Sequence, residues 1–233
     1  MRTESAPGTY LLGRRAPAFR RRLLAWFATN GRAFPWRKPG ANPYLLVVVE
    51  VLLQRTRAET VRAFLPSFLE RFPSWEAVAA CKLDELGEAL KPIGLWRRRA
   101  PPLLGLAKEM VVRDGLWPRD RDELENIPAV GQYVANAVLL FIHDEPHPLM
   151  DASMARLLRR YFTINPEMAD IRYDRKLHAV AYRVLAAGNA SHMNWAMLDV
   201  AALYCKPRQP VCLVCPLRRN CVHARSSEVP SGV

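Results

Sequence analysis

The chain has 233 residues, half of them apolar and 24% charged, enough to bury a sizeable core and to exclude disorder throughout. Eleven glycines and 19 prolines without a three-residue period exclude a collagen-like chain. Lys and Arg outnumber Asp and Glu by 34 to 22, a net charge of +12, so the simplest expected partner is a polyanion, most plainly nucleic acid.

In chain order, residues 1–16 mix Pro, Gly, Ser and Arg without period and read as a flexible tail. Phe19, Leu23, Trp26 and Phe27 then fall on one helical face, and Asn30-Gly31 is a stop signal. The run Leu45 to Leu53 is β-branched and suits a buried strand by propensity. It reads as a buried helix because the apolar run continues through Leu53 and the stretch Thr56–Phe72 beyond is helical. Leu83, Leu86 and Leu90 predict a helix ended by Pro92, and Leu103 to Met110 another closed by Gly115. Further helices are predicted over Arg121–Asn126, Tyr133–Ile142, Asp151–Phe162, Leu177–Ala187 and Trp195–Tyr204, with residues 225–233 a second tail. No region alternates as several strands would, so the fold class is all-α. No run reaches the roughly 20 apolar residues that span a bilayer, and the N-terminus lacks the apolar core of a signal peptide. A cytoplasmic protein without membrane contact is expected, where structural disulfides are uncommon.

Four cysteines crowd one segment: Cys205, Cys212, Cys215 and Cys221, spaced C-x6-C-x2-C-x5-C. Four thiolates from one loop can hold zinc or an iron–sulfur cluster. Zinc sites usually pair two knuckles across a longer gap, whereas this single compact loop suits a cubane whose corners are reached separately. Two disulfides are the remaining alternative. Lys206, Arg208, Arg218 and Arg219 lie between the outer cysteines with no acid among them, so the folded loop would offer charge to phosphates. Cys81 stands alone in an apolar setting and reads as core.

Ile127-Pro128-Ala129-Val130-Gly131 joins two predicted helices by a tight turn. Backbone N–H groups at the start of the second helix, with its dipole, make an anion site, and Gly131 permits close approach of a phosphate. Asp151 opens a helix and suits an N-cap; a carboxylate held there could also stabilise positive charge developing on a sugar. Glu50 is the only charged residue from Ala41 to Gln54. Buried, it must be paired or open into a cleft, where its protonated form could donate a proton.

Together with Phe34-Pro35-Trp36-Arg37, Glu50-Val51-Leu52-Leu53-Gln54-Arg55-Thr56 and Ile93-Gly94-Leu95, these features resemble the helix-hairpin-helix DNA glycosylase superfamily in its iron–sulfur branch. That branch includes endonuclease III, the adenine glycosylases and the thymine/uracil mismatch glycosylases, and the likeness spans residues 17–224. The resemblance implies two helical lobes with a DNA-binding cleft. One lobe would be residues 43–150, containing the hairpin motif at 121–142; the other would join 17–42 to 151–224 and carry a [4Fe-4S] loop. Asp151 matches the family's catalytic aspartate, and Cys205, Cys212, Cys215 and Cys221 its cluster ligands. Tyr133 stands where endonuclease III has its Schiff-base lysine and where the thymine mismatch enzymes have tyrosine. Little or no AP-lyase activity is therefore implied. Arg55 also resembles the mismatch enzymes, since adenine glycosylases usually carry a second glutamine after Gln54.

The resemblance thus implies a monofunctional, base-excision-repair glycosylase. It would release thymine or uracil opposite guanine from double-stranded DNA, as a monomer associated with the nucleoid. Asp151, Tyr133 and Glu50 would serve the chemistry. Arg55 and the Gly94-Leu95-Trp96 loop would wedge the duplex, Gln54 would bind DNA, Val130 and Gly131 would meet phosphate, and Arg208, Arg218 and Arg219 would dock DNA. Ala129 replaces a customary glycine, which implies weaker anchoring at the hairpin. One alternative is an adenine glycosylase without the C-terminal domain that reads oxidised guanine, since the chain ends at Val233, soon after Cys221. The other is a non-enzymatic DNA-binding module, for which Asp151 and Glu50 would be superfluous.

Overall fold

A computed structural model describes residues 7–226. Among them no β-strand forms. The helices are α1 (Pro7–Asn30), α2 (Pro43–Leu53), α3 (Ala58–Arg71), α4 (Trp75–Ala80), α5 (Leu83–Leu90), α6 (Trp96–Val112), α7 (Arg121–Asn126), α8 (Gln132–Phe141), α9 (Ala152–Phe162), α10 (Arg175–Leu185), α11 (Ala190–Leu203) and α12 (Val222–Ser226), with short 3-10 turns between some of them. No described helix is long and apolar enough to cross a membrane.

The first helix departs from expectation. It begins at Pro7, so residues 7–16 are helical rather than a tail, while residues 1–6 lie outside the described set. Packing explains the extension. Ala16 is buried, and Arg15 donates through Nη2 to the carbonyls of Tyr161, at 2.8 Å, and Asn220. At the other end Arg225 and Ser226 belong to α12, and 227–233 are outside the described set.

The described residues form two compact units, one comprising those up to Arg32 and from Pro146, the other Ala33–Glu145. Sequence-based boundaries at 42/43 and 150/151 lie just inside these. The earlier division follows from Phe34 and Trp36, which stack at 4.6 Å and join the core of the second unit. That core also takes Val47, Val48, Leu52, Phe68, Leu86, Leu103 and Val134. α2 owes its helical form to its start. Asn42 Oδ1 accepts from Leu45 N at 3.0 Å and Pro43 occupies the first turn, a cap and a pre-set φ that outweigh the β-branched run.

In the first unit, Phe19 of α1 meets the ring of Tyr161 of α9 edge-on at 4.7 Å, and Leu23, Leu158, Val184 and Met197 are buried in the same unit. A buried ion pair closes the end of α1. Asp199 of α11, fully buried, accepts from Arg32 Nε at 2.7 Å and from Arg32 N at 2.8 Å. Replacing Asp199 by Ala removes the acceptors of both bonds, and should lower stability by about 1–3 kcal/mol in denaturant titration. A change below about 1 kcal/mol would show the pair to be dispensable.

Candidate active site and nucleic-acid interface

Asp151 is the N-cap of α9, as its position suggested, and is partly buried. Its Oδ1 accepts from Ser153 N at 2.9 Å and Met154 N at 2.6 Å. Both backbone bonds fall on Oδ1, and the Ser153 side chain is a further hydrogen-bond partner of the carboxylate. Burial pushes the carboxyl pKa above its ordinary value, against the opposing pull of the Met154 and Ser153 N–H groups and the Arg156 cation. The loop before it is pinned by a residue the sequence reading passed over. Asn194 of α11, fully buried, accepts from Leu149 N at 2.7 Å and donates to the carbonyls of His147 and Ala190, each at 3.0 Å.

The same helix holds the cysteine loop. Arg156 Nε donates to the Cys205 carbonyl at 2.7 Å. Arg160 donates to the carbonyls of Lys206 at 2.7 Å and Pro207 at 2.8 Å, and its Nη1 lies 3.5 Å from Cys205 Sγ. Cys205, Cys212, Cys215 and Cys221 all line one small cavity, with Leu157, Tyr161 and Leu217 closing it, and none of the four is in a disulfide. Burial pushes the Cys215 thiol up to about 11, with its sister cysteines adding to the rise. Clustered thiolates in such a place need a compensating cationic centre. Among the described residues no three His, Cys, Asp or Glu side chains close up as ligands of one metal ion do. Four cysteine side chains on one cavity are a donor set that a zinc ion or an iron–sulfur cluster could take.

Beside the cysteines runs an open groove lined by Arg22, Arg218, Arg219 and Arg225 with Leu213, Val214, Cys215 and Pro216. Two of these arginines were singled out in the sequence; Arg22 and Arg225 were not. Arg22 comes from α1, and no spacing rule in the loop could have pointed to it. Arg208 is exposed in the loop but outside this groove.

In the other unit, Glu50 is 4% exposed on α2, and Tyr133 is partly buried in the first turn of α8. Gln54 and Arg55 are exposed on the turn after α2, where Arg55 has φ 60°. Leu95 is 44% exposed, also in the left-handed region at φ 55°, as the N-cap of α6. Trp96 differs from its neighbour. It is partly buried, with Arg97 and Lys91 at 4.5 and 5.4 Å from its ring and so close to Gly87 that a Cβ there would stand 3.1 Å away. It anchors the turn whose tip is Leu95.

The hairpin likewise divides its residues. Val130 is buried and its N–H is spent on the Ile127 carbonyl at 3.0 Å, so it serves the core. Gly131 has extended backbone and nothing within 4 Å of the place a Cβ would occupy, leaving its face open to a ligand at the start of α8. Ala129 sits at φ 65°, a conformation that costs an L-residue about 1–2 kcal/mol. Ala129→Gly should therefore stabilise the protein by about 1 kcal/mol, after allowing for the looser unfolded chain. A lower melting temperature for the variant would contradict this.

Residues 48–181 match the model of the family described as HhH-GPD superfamily base excision DNA repair protein. The chain is 35% identical over 213 residues to a thymine-DNA glycosylase of Aeropyrum pernix, covering 90% of this chain and 95% of that protein. It is 34% identical over 215 residues to a thymine/uracil-DNA glycosylase of Pyrobaculum aerophilum, covering 90% and 93%. Its fold matches the structure of a thermostable thymine-DNA glycosylase with a TM-score of 0.80 at 26% identity, over 92% of this chain and 98% of the other. With the matched segment running from α2 through the hairpin and Asp151 into α10, the chain belongs to the HhH-GPD superfamily of base excision DNA repair proteins.

Proposed function

We propose that this protein is a monofunctional DNA glycosylase that hydrolyses the N-glycosidic bond of thymine or uracil opposite guanine in duplex DNA. The observation that carries the reading is Asp151, a partly buried carboxylate whose Oδ1 alone takes both backbone bonds of its cap at the start of α9. The named relatives at 34–35% identity over nine-tenths of the chain support the choice of base.

In this reading the target base is extruded, which costs least where pairing is already poor. Gln54, Arg55 and Leu95 enter the duplex, and Glu50 and Tyr133 contact the base. As the C1′–N bond breaks, its electron pair leaves with the base and positive charge grows on the sugar. The Asp151 carboxylate stabilises that charge and orients a water, whose oxygen bonds to C1′ while its proton passes to the carboxylate. The departing base takes up a proton from solvent, and Asp151 returns its own proton to solvent, so water's two hydrogens end on the sugar hydroxyl and the free base. With tyrosine at position 133 no side-chain amine is placed for covalent attack, so the strand stays unbroken. Cys205, Cys212, Cys215 and Cys221 would hold a [4Fe-4S] cluster, a structural clamp that presents Arg218 and Arg219, with Arg208 beside them, to phosphates. The protein acts as a monomer.

Duplexes carrying T·G, U·G, A·G and A·8-oxoguanine test this. Thymine and uracil should be released and adenine retained. Release of adenine would instead place the protein among the adenine glycosylases. No release from any duplex, with binding intact, would make it a binding module.

A further inference from the structure

Arg99 is 6% exposed, yet no carboxylate accepts from it. Its guanidinium turns back to the end of α2, where Nη1 donates to the Leu52 carbonyl at 2.8 Å. Nη2 donates to the Gln54 carbonyl at 2.5 Å and to Thr56 Oγ1 at 2.6 Å. These carbonyls form the negative end of the helix dipole, and a planar fork reaches three acceptors where an ammonium cannot. Burial lowers the Arg99 pKa, so the contact is maintained at a desolvation cost.

The segment it grips is strained. Gln54 has φ −56° and ψ 111°, Arg55 has φ 60°, and Thr56 N donates to the Leu53 carbonyl at 3.1 Å. These are the marks of a type II turn, whose third position favours glycine. Arginine stands there instead, with its side chain exposed. The same Arg99 lies in the first turn of α6, where its backbone N–H donates to the Leu95 carbonyl at 3.0 Å. Leu95 is likewise an exposed side chain held at a positive φ, as Asp114 and Asp144 are elsewhere in this unit. One residue is thus bonded to both turns.

We propose that Arg99 is a positioning residue that locks the Gln54-Arg55 turn and the Leu95 turn into one preformed wedge, so that their strain is borne by the fold before DNA binds. This rests on the reading above of those two turns as the parts that enter the duplex.

The test uses the whole protein and two DNA substrates. One carries uracil opposite guanine; the other carries uracil opposite an abasic analogue, where extrusion is already cheap. Base opening is followed by the fluorescence of 2-aminopurine beside the target, and release by single-turnover kinetics. Arg99→Gln should slow opening and release on the guanine-paired duplex by about 10- to 100-fold. On the unpaired substrate the loss should be under about 3-fold. Arg99→Lys should recover part of the deficit, and Thr56→Val, which removes one acceptor, should show a smaller deficit of the same kind. If Arg99→Gln does not fold, the two milder variants carry the comparison. Equal losses on both substrates, or none on either, would overturn the proposal. Arg55→Ala and Leu95→Ala separate the two levels. If they leave opening unchanged, the wedge reading itself fails; if they slow it and the Arg99 and Thr56 variants do not, only the positioning role fails.

Discussion

Asp151→Asn should bind mispaired DNA as tightly as the parent while losing base release by on the order of 10³-fold. The cap predicts the retained fold. Asparagine is as good an N-cap as aspartate, and its amide oxygen can still accept from Ser153 N and Met154 N. What disappears is the negative charge that meets the sugar cation. Stability should move the other way from activity. A carboxyl whose folded pKa is raised contributes stability below its unfolded pKa and loses it as pH rises through the folded value. At neutral pH the charged, half-desolvated Asp151 is therefore a cost that the amide avoids, and the variant should melt at the same temperature or higher. The raised pKa also sets the acid side of the rate profile. Release by the parent should fall on acidification at a pH above the ordinary carboxylate value of about 3.9, because only the ionised form serves. Unchanged turnover in Asp151→Asn would remove Asp151 from the chemistry.

If the four cysteines hold the proposed cluster, Cys215→Ala should cost the protein that cluster and much of its grip on DNA. The parent is expected to be brown and to carry about four iron and four sulfide per chain. Cys215 lines both the cysteine cavity and the arginine groove, so its loss reaches the two together. Without the proposed ligand, the groove of Arg22, Arg218, Arg219 and Arg225 would lose the support of the cluster. Affinity for any duplex should then fall by about 10- to 100-fold and depend less steeply on salt, as fewer phosphates are neutralised. Arg156 and Arg160 still tie the loop to α9, so the remaining helices should keep their far-ultraviolet signal. A colourless parent containing one zinc per chain would contradict the cluster, and unchanged affinity in the variant would contradict the clamp.

Much of the helical order was legible in the sequence because its signals are local. The Phe19 and Leu23 face, the Asp151 cap and the Arg121–Asn126 segment each rest on residues within one or two turns. The ambiguity over Leu45–Val49 could also have been settled locally, since Asn42-Pro43 is a helix start that apolar periodicity overlooks. Less legible were features that depend on distant partners. α1 extends back to Pro7 while Arg15 reaches carbonyls on α9 and in the cysteine loop, and no nearby residue foretells that. The start of α11 at Ala190, ahead of Trp195, is again a local signal that apolar periodicity overlooks, since Asn189 accepts from His192 N at 2.8 Å.

The candidate site divides in the same way. Asp151, the cysteines and Gly131 announce themselves by residue type and spacing. Asn194, Arg156 and Arg99 do not, for their roles exist only once a loop or turn has been brought to them. Val130 and Trp96 show the reverse case: the resemblance suggests contact with DNA, while Val130 is buried and Trp96 is half-buried beside Gly87.

The most direct measurement is a single-turnover digest of a duplex holding one T·G mispair, with the products resolved before and after alkali. The protein should liberate thymine and leave an abasic strand that breaks only on alkaline treatment. Thymine retained in full, or a strand already nicked before alkali, would contradict a monofunctional hydrolysis directed by Asp151.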